Sequence, residues 1–149
     1  MGIRIAKLSP HFSTRIFEFF GTLGVRNSAC ADGNGYVTIG PLTVLEYLDR
    51  AGSSPFADWF RSLDATAAAK ITTAIRRLEQ GNFSSVKGVG AGVFEFRIDF
   101  GPGYRVYFGK DGEAVVILLG GGTKKRQDRD IATARERWTD YKKRKAKEK

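Results

Sequence analysis

Residues 94–108, FEFRIDFGPGYRVYF, leave the chain little choice of local structure. Phe94, Phe96, Ile98 and Phe100 alternate with Glu95, Arg97 and Asp99. Gly101-Pro102-Gly103 then breaks the run before Tyr104, Arg105, Val106, Tyr107 and Phe108. Alternation with a period of two places successive side chains on opposite faces of a strand. A Gly/Pro break between two such runs predicts a β-hairpin. Pairing Phe100 with Tyr104 across a three-residue turn sets Asp99 opposite Arg105, Ile98 opposite Val106 and Arg97 opposite Tyr107. One face is then an aromatic floor. The other carries two arginines, a tyrosine and two carboxylates.

The flanking sequence supplies the elements that such a floor needs. LTVLEYLD (residues 42–49), rich in β-branched and aromatic residues, predicts a strand. Ser54 caps a helix that opens on Pro55, where a missing N–H costs nothing, and Phe56, Trp59, Phe60 and Leu63 follow at helical spacing. Asp64 caps a second, alanine-rich helix with Ile71, Ala74, Ile75 and Leu78 as its buried stripe and Gly81 as its stop, so the two helices form an αα-hairpin. Residues 82–93 predict a glycine-punctuated loop. KDGE (110–113) predicts a tight turn, and AVVILLG (114–120), apolar on both faces, a central or covered strand. A last helix over roughly 127–145 carries Ile131, Ala134, Trp138 and Tyr141 on one face. The order β-α-α-β-β-β-α defines an α+β fold: a small antiparallel β-sheet packed on an αα-hairpin and a C-terminal helix. The helices are expected on the aromatic face, with the polar face open to solvent. Residues 1–35 show no sustained periodicity and are read as an N-terminal extension outside the core, 36–145 as the domain, and 146–149 as a basic tail.

Charge narrows the partners. The chain carries a formal +9 over 149 residues. From Leu42 to Thr123 nine Lys/Arg balance nine Asp/Glu, whereas Lys124–Lys149 holds twelve Lys/Arg against five Asp/Glu. Basic charge concentrated at one end favours a polyanionic partner, with a solvated lysine-rich tail as the alternative. One cysteine, Cys30, excludes an internal disulfide framework, and one histidine, His11, argues against a metal centre or a Ser-His-Asp triad. No cofactor is expected: GVGAG (88–92) has valine where a dinucleotide fingerprint needs its third glycine, and GGGTKK lacks phosphate-loop spacing. The glycines of GGGTKK are expected to bend the strand end. No apolar run is long enough to span a bilayer. Arg15 and Glu18 interrupt the apolar N-terminal stretch, and Asn27 spoils the small-residue box before Cys30, so export is not expected and a cytoplasmic location is.

The polar hairpin face admits two readings. Arg97 and Arg105 could simply pair with Glu95 and Asp99 across the strands. Alternatively, Lys124, Lys125 and Arg126 arrive at the end of the same sheet, so that cations suited to phosphate lie beside aromatics suited to stacking.

LEYLDRAGSSPFADWF, RRLEQGNFSSVKGVGAGVFEFRIDFGPGYRVYF and VVILLGGGTKKRQDRDI together resemble the RelE/ParE toxin superfamily, and within it the phage-derived, HigB-type addiction-module killer proteins. The resemblance spans roughly residues 42–145, and RIDFGPGYRVYF…GGGTKKRQ…DI is its most specific part. It implies the toxin of a type II toxin–antitoxin pair: a metal-independent endoribonuclease that cuts messenger RNA on translating ribosomes, with a helix-turn-helix antitoxin as partner. In such enzymes the ribose 2′-hydroxyl attacks the adjacent phosphate. The resemblance matches Arg97 and Arg105 to two basic active-site positions and Lys124, or Lys125 if the register slips, to the basic residue after the last strand; Tyr107 or Tyr104 is expected to share proton transfer. Tyr104, Lys125, Arg126, Lys142, Lys143 and Arg144 are assigned to RNA binding. Glu95 stands where some members carry a lysine. The alternatives are a ParE-type gyrase poison, which shares the fold without being a nuclease, and a non-catalytic basic RNA- or DNA-binding module.

Overall fold

The computed structural model describes residues 6–7 and 42–148. The rest of residues 1–41, including His11 and Cys30, lies outside the described residues. Two residues of that segment, β1 (Ala6–Lys7), pair antiparallel with β2 (Thr43–Glu46). Two helices follow, α1 (Pro55–Arg61) and α2 (Ala65–Glu79). The Ser54 hydroxyl accepts from the Ala57 N–H at 3.0 Å, and the Asp64 carboxylate accepts from the Ala67 N–H at 2.8 Å, as the caps predict. Strands β3 (Val86–Gly88), β4 (Val93–Ile98), β5 (Tyr104–Asp111) and β6 (Val115–Thr123) come next. A single 3₁₀ turn, Lys124–Arg126, leads into α3 (Gln127–Lys147).

The fold is α+β, with strands in the order β1-β2-β6-β5-β4-β3. All neighbours run antiparallel except β2 and β6, which are parallel. The apolar strand β6 lies inside the sheet, with Val116 and Leu118 buried on one face and Ile117 and Leu119 on the other. An extra residue at Leu119 interrupts the β5–β6 register, between Tyr107–Gly120 and Phe108–Leu118. Residues 86–88, expected in a loop, add the edge strand β3; three residues are too few to leave a period-two signature.

The helices do not share one face. Phe56, Phe60, Ile71, Ile75 and Leu78 of α1 and α2 pack on Phe96, Val106 and Phe108, so the aromatic floor meets the αα-hairpin as expected. The opposite face is covered as well: Ala134, Trp138 and Tyr141 of α3 pack on Tyr47, Val93, Tyr107, Ile117 and Leu119. The expectation of an open polar face is therefore corrected along most of the sheet.

The glycine run belongs to this double cover rather than to a bend. Gly120, Gly121 and Gly122 stay within β6. A Cβ on Gly121 would enter the Trp59 ring on one face, and one on Gly122 would meet the Asp130 carboxylate on the other. Backbone contact replaces side-chain packing so that α1 and α3 can both close on the strand. Gly121→Ala is expected to destabilise the protein by ~1–3 kcal/mol through overpacking, measured as a lower urea midpoint at unchanged slope.

Candidate nucleic-acid interface

The hairpin closes through Phe100–Gly103. The Gly103 N–H donates to the Phe100 carbonyl at 3.0 Å, with Gly101 at φ 55° and Gly103 at φ 79°. The strands therefore pair two positions away from the expected register: Ile98 faces Tyr104, Arg97 faces Arg105, Phe96 faces Val106 and Glu95 faces Tyr107. An even shift leaves every side chain on its predicted face, but it sets two arginines directly opposite each other. Like charges so placed repel.

Each arginine has its own carboxylate. Arg97, its side chain 55% exposed, lies 3.6 Å from the still more exposed Asp99. Arg105 is buried, and its Nε donates to Glu95 Oε1 at 3.1 Å. Glu95, 1% exposed, also accepts at Oε2 from Gln127 Nε2 at 2.9 Å. The N-terminal end of α3 thus closes over Arg105 and leaves Arg97 clear.

The basic turn meets the same corner. The Lys124 N–H donates to the Gly103 carbonyl at 2.9 Å, tying the turn to the hairpin. Lys124, Lys125 and Arg126 are exposed and, with Gln127, Asp128 and Arg129, line an open groove of about 370 Å³. Tyr104 is half-buried at the hairpin tip, packed between Phe100 and Trp59 at centroid distances of 6.4 Å each. Lys70 Nζ lies 5.5 Å above the Phe100 ring. Tyr104 and Trp59 pack with the αα-hairpin cluster, on the opposite face of the hairpin from Arg97 and Arg105, and with Phe100 and Lys70 they form a partly exposed aromatic edge at the same end of the sheet.

Tyr107 does not belong to the open corner. It is 1% exposed beneath α3, and burial, with the Glu95 and Asp130 carboxylates nearby, pushes its phenol pKa well above the ordinary value. A phenol held protonated and covered cannot exchange protons with a surface-bound substrate, so the placing of Tyr107 among the proton-transfer groups is corrected.

Lys142, Lys143 and Arg144 are not part of the corner either. They sit about 15 residues along α3, roughly 22 Å away at helical rise. Arg144 is committed internally: it pairs with Asp140 at 2.8 Å, donates to the Leu48 carbonyl at 2.6 Å and lies 5.1 Å from the Tyr47 ring. The Tyr47 hydroxyl donates to Asp140 at 2.8 Å, and its pKa is pushed up to about 12, chiefly by burial and then by Asp140. Lys145 pairs with Asp111, which also accepts from the Tyr141 hydroxyl at 2.5 Å. The C-terminal charge run is thus half anchor and half surface, with Lys142 and Lys143 exposed. Converting both to glutamine is expected to lower the slope of log affinity for single-stranded RNA against log salt by ~1.4, at ~0.7 per lost phosphate contact, with melting temperature unchanged. Truncation after Tyr141 would also remove the Arg144 and Lys145 anchors.

Among the described residues, no group of three or more His, Cys, Asp or Glu is placed to hold a metal ion, and no helix is long and apolar enough to cross a membrane.

A small α+β protein with a cationic, aromatic corner at one sheet end is the class that fold and site define. Residues 58–139, more than half of the chain, match the family model described as Phage derived protein Gp49-like, and the chain belongs to that family. A Haemophilus influenzae protein with no activity in its description is 48% identical over 81 residues, which cover 54% of this chain and 82% of the relative.

Proposed function

We propose that this chain is the toxin of a toxin–antitoxin pair, a metal-independent endoribonuclease that cuts messenger RNA on translating ribosomes. The observation that carries the reading is the cross-strand pairing of Arg97 with Arg105 beside the Lys124–Arg126 turn. Each guanidinium has a carboxylate of its own, yet the pairing still gathers two forks on one strand face beside the exposed lysines of the turn, a concentration of cationic donors suited to an anion. Phosphate is the anion that guanidinium forks and lysine ammonium groups fit best. Membership of a phage-derived family and the resemblance to addiction-module killers supply the biological context.

In this reading the RNA backbone crosses the corner. The 2′-hydroxyl gives its proton to water and attacks the adjacent phosphorus, and the P–O5′ bond breaks as the 5′-oxygen takes a proton from water, giving a 2′,3′-cyclic phosphate and a 5′-hydroxyl. Charge building on the equatorial oxygens is met by Arg97, by the terminal amines of Arg105 and by Lys124, while Lys125 and Arg126 hold the flanking backbone. Phe100 and Tyr104 offer rings to a neighbouring base. A cognate antitoxin, a helix-turn-helix protein, would silence the toxin by covering the cationic corner.

The test is induction of the chain alone in a bacterium, with and without the neighbouring gene, followed by end-group analysis of the cut RNA. Growth arrest, rescue and 5′-hydroxyl ends are expected; 5′-phosphate ends would exclude the 2′-hydroxyl mechanism. The covered Tyr107 favours one other reading, a gyrase poison that needs no proton-transfer group. Inhibited supercoiling without RNA cleavage would select it.

A further inference from the structure

We propose that Glu95 is a positioning residue: it grips Arg105 through Nε, is itself gripped by Gln127, and so fixes the terminal amines of Arg105 where they receive one phosphate of single-stranded RNA. The inference rests on the reading of this corner as an RNA site and assigns its internal machinery.

Three observations carry it. First, Glu95 and Arg105 are both buried, and Nε is the only Arg105 side-chain atom in a hydrogen bond among the described residues. Neither terminal amine has a hydrogen-bond partner among the described residues. Second, those amines lie at the corner. A Cβ built on Gly103 would sit 3.8 Å from Arg105 Nη1 and 3.6 Å from Lys124 Cβ, so Gly103 separates the guanidinium from the basic turn. Third, the opposite oxygen of Glu95 is held by Gln127, the first residue of α3 and the neighbour of Arg126. Three elements therefore converge on one carboxylate: β4 supplies it, β5 supplies the arginine, and α3 locks it from above.

Stability does not explain this convergence. A buried ion pair is often no better than apolar side chains of the same volume, because desolvation offsets the attraction. Apolar residues at 95 and 105 would continue the Tyr107, Ile117 and Leu119 packing under α3. What the pair supplies instead is orientation. A free arginine samples many rotamers, and holding it at Nε leaves its two amines as a fork of fixed direction. Preorganisation of this kind converts a flexible cation into a directed phosphate donor.

The experiment uses the full chain labelled with ¹⁵N and a short single-stranded oligoribonucleotide made uncleavable by 2′-O-methylation. The Arg105 Nε–H resonance is assigned by its loss in Arg105→Lys. In the native chain it is expected to exchange slowly with water and to shift on addition of the oligonucleotide. In Glu95→Gln the hydrogen exchange should quicken by at least ~10-fold and oligonucleotide affinity should fall by roughly 10-fold or more, the scale of one charge-assisted hydrogen bond. Gln127→Ala, a change at a partly exposed helix start, should give the same two effects at roughly 3-fold and serves if Glu95→Gln does not fold. The proposal is overturned if the Arg105 resonance ignores the oligonucleotide. It is equally overturned if either variant loses Nε–H protection yet binds with native affinity. Ribosome-dependent cleavage is assayed separately. Native binding through Arg105 without any cleavage would remove the nuclease reading and leave this inference standing.

Discussion

Replacing Arg97 by alanine is expected to slow RNA cleavage by roughly 10²–10³-fold, the usual cost of one preorganised donor to a charged transition state, with almost no change in stability. The side chain is 55% exposed, and its partner Asp99, at 3.6 Å, is 89% exposed. Exposed pairs of this kind are worth ~0–1 kcal/mol, so the melting transition should move by no more than ~0.5 kcal/mol. Ground-state binding should fall far less than the rate, because Lys124, Lys125 and Arg126 still supply attraction at the same corner. Asp99→Asn is the companion variant: it frees Arg97 from its ion-pair partner among the described residues and should leave cleavage at or above the native rate. Single-turnover cleavage on programmed ribosomes, beside oligonucleotide binding, separates the two quantities. Cleavage at the native rate in Arg97→Ala would move the chemistry away from this hairpin.

The contrast with Arg105 shows how far residue patterns reach. Alternation in 94–108 identifies both faces of the hairpin correctly. It does not identify the pairing, because the Gly-Pro-Gly turn closes on Gly103 instead of spanning to Tyr104. Parity protected the faces from that error; the partners were lost, and with them the Arg97–Arg105 opposition. The α3 stripe of Ile131, Ala134, Trp138 and Tyr141 was equally legible, since helical period is a local property. Which side of the sheet receives that stripe is not local, so the burial of Glu95, Arg105 and Tyr107 escaped detection. One sequence signal did carry it. Gly120-Gly121-Gly122 inside an apolar strand leaves no side chain on either face, which suits a strand pressed from both sides. Arg144 is a similar case: a basic run looks uniform, yet Asp140 stands four residues before it, at the spacing of a helical ion pair.

Arg105→Ala is the variant with the largest expected effect, because it removes function and fold support together. It leaves Glu95, 1% exposed and still accepting from Gln127, without its ion-pair partner. Breaking a buried ion pair from one side costs ~3–5 kcal/mol, a large share of the stability of a domain this size. Lost activity in Arg105→Ala alone would therefore be ambiguous. The double variant Glu95→Leu/Arg105→Met resolves it. With both charges gone and similar volume kept, the site continues the apolar packing beneath α3, and stability should return to within ~1–2 kcal/mol of the native chain. Cleavage should not return, since no guanidinium faces the phosphate. Urea denaturation of the three proteins, followed by cleavage assays on the folded ones, decides between the roles. A double variant that is stable and cuts at the native rate would reduce Arg105 to a packing residue and leave Arg97 and the Lys124–Arg126 turn to act alone. A double variant that is stable and inactive would place the guanidinium itself in the chemistry.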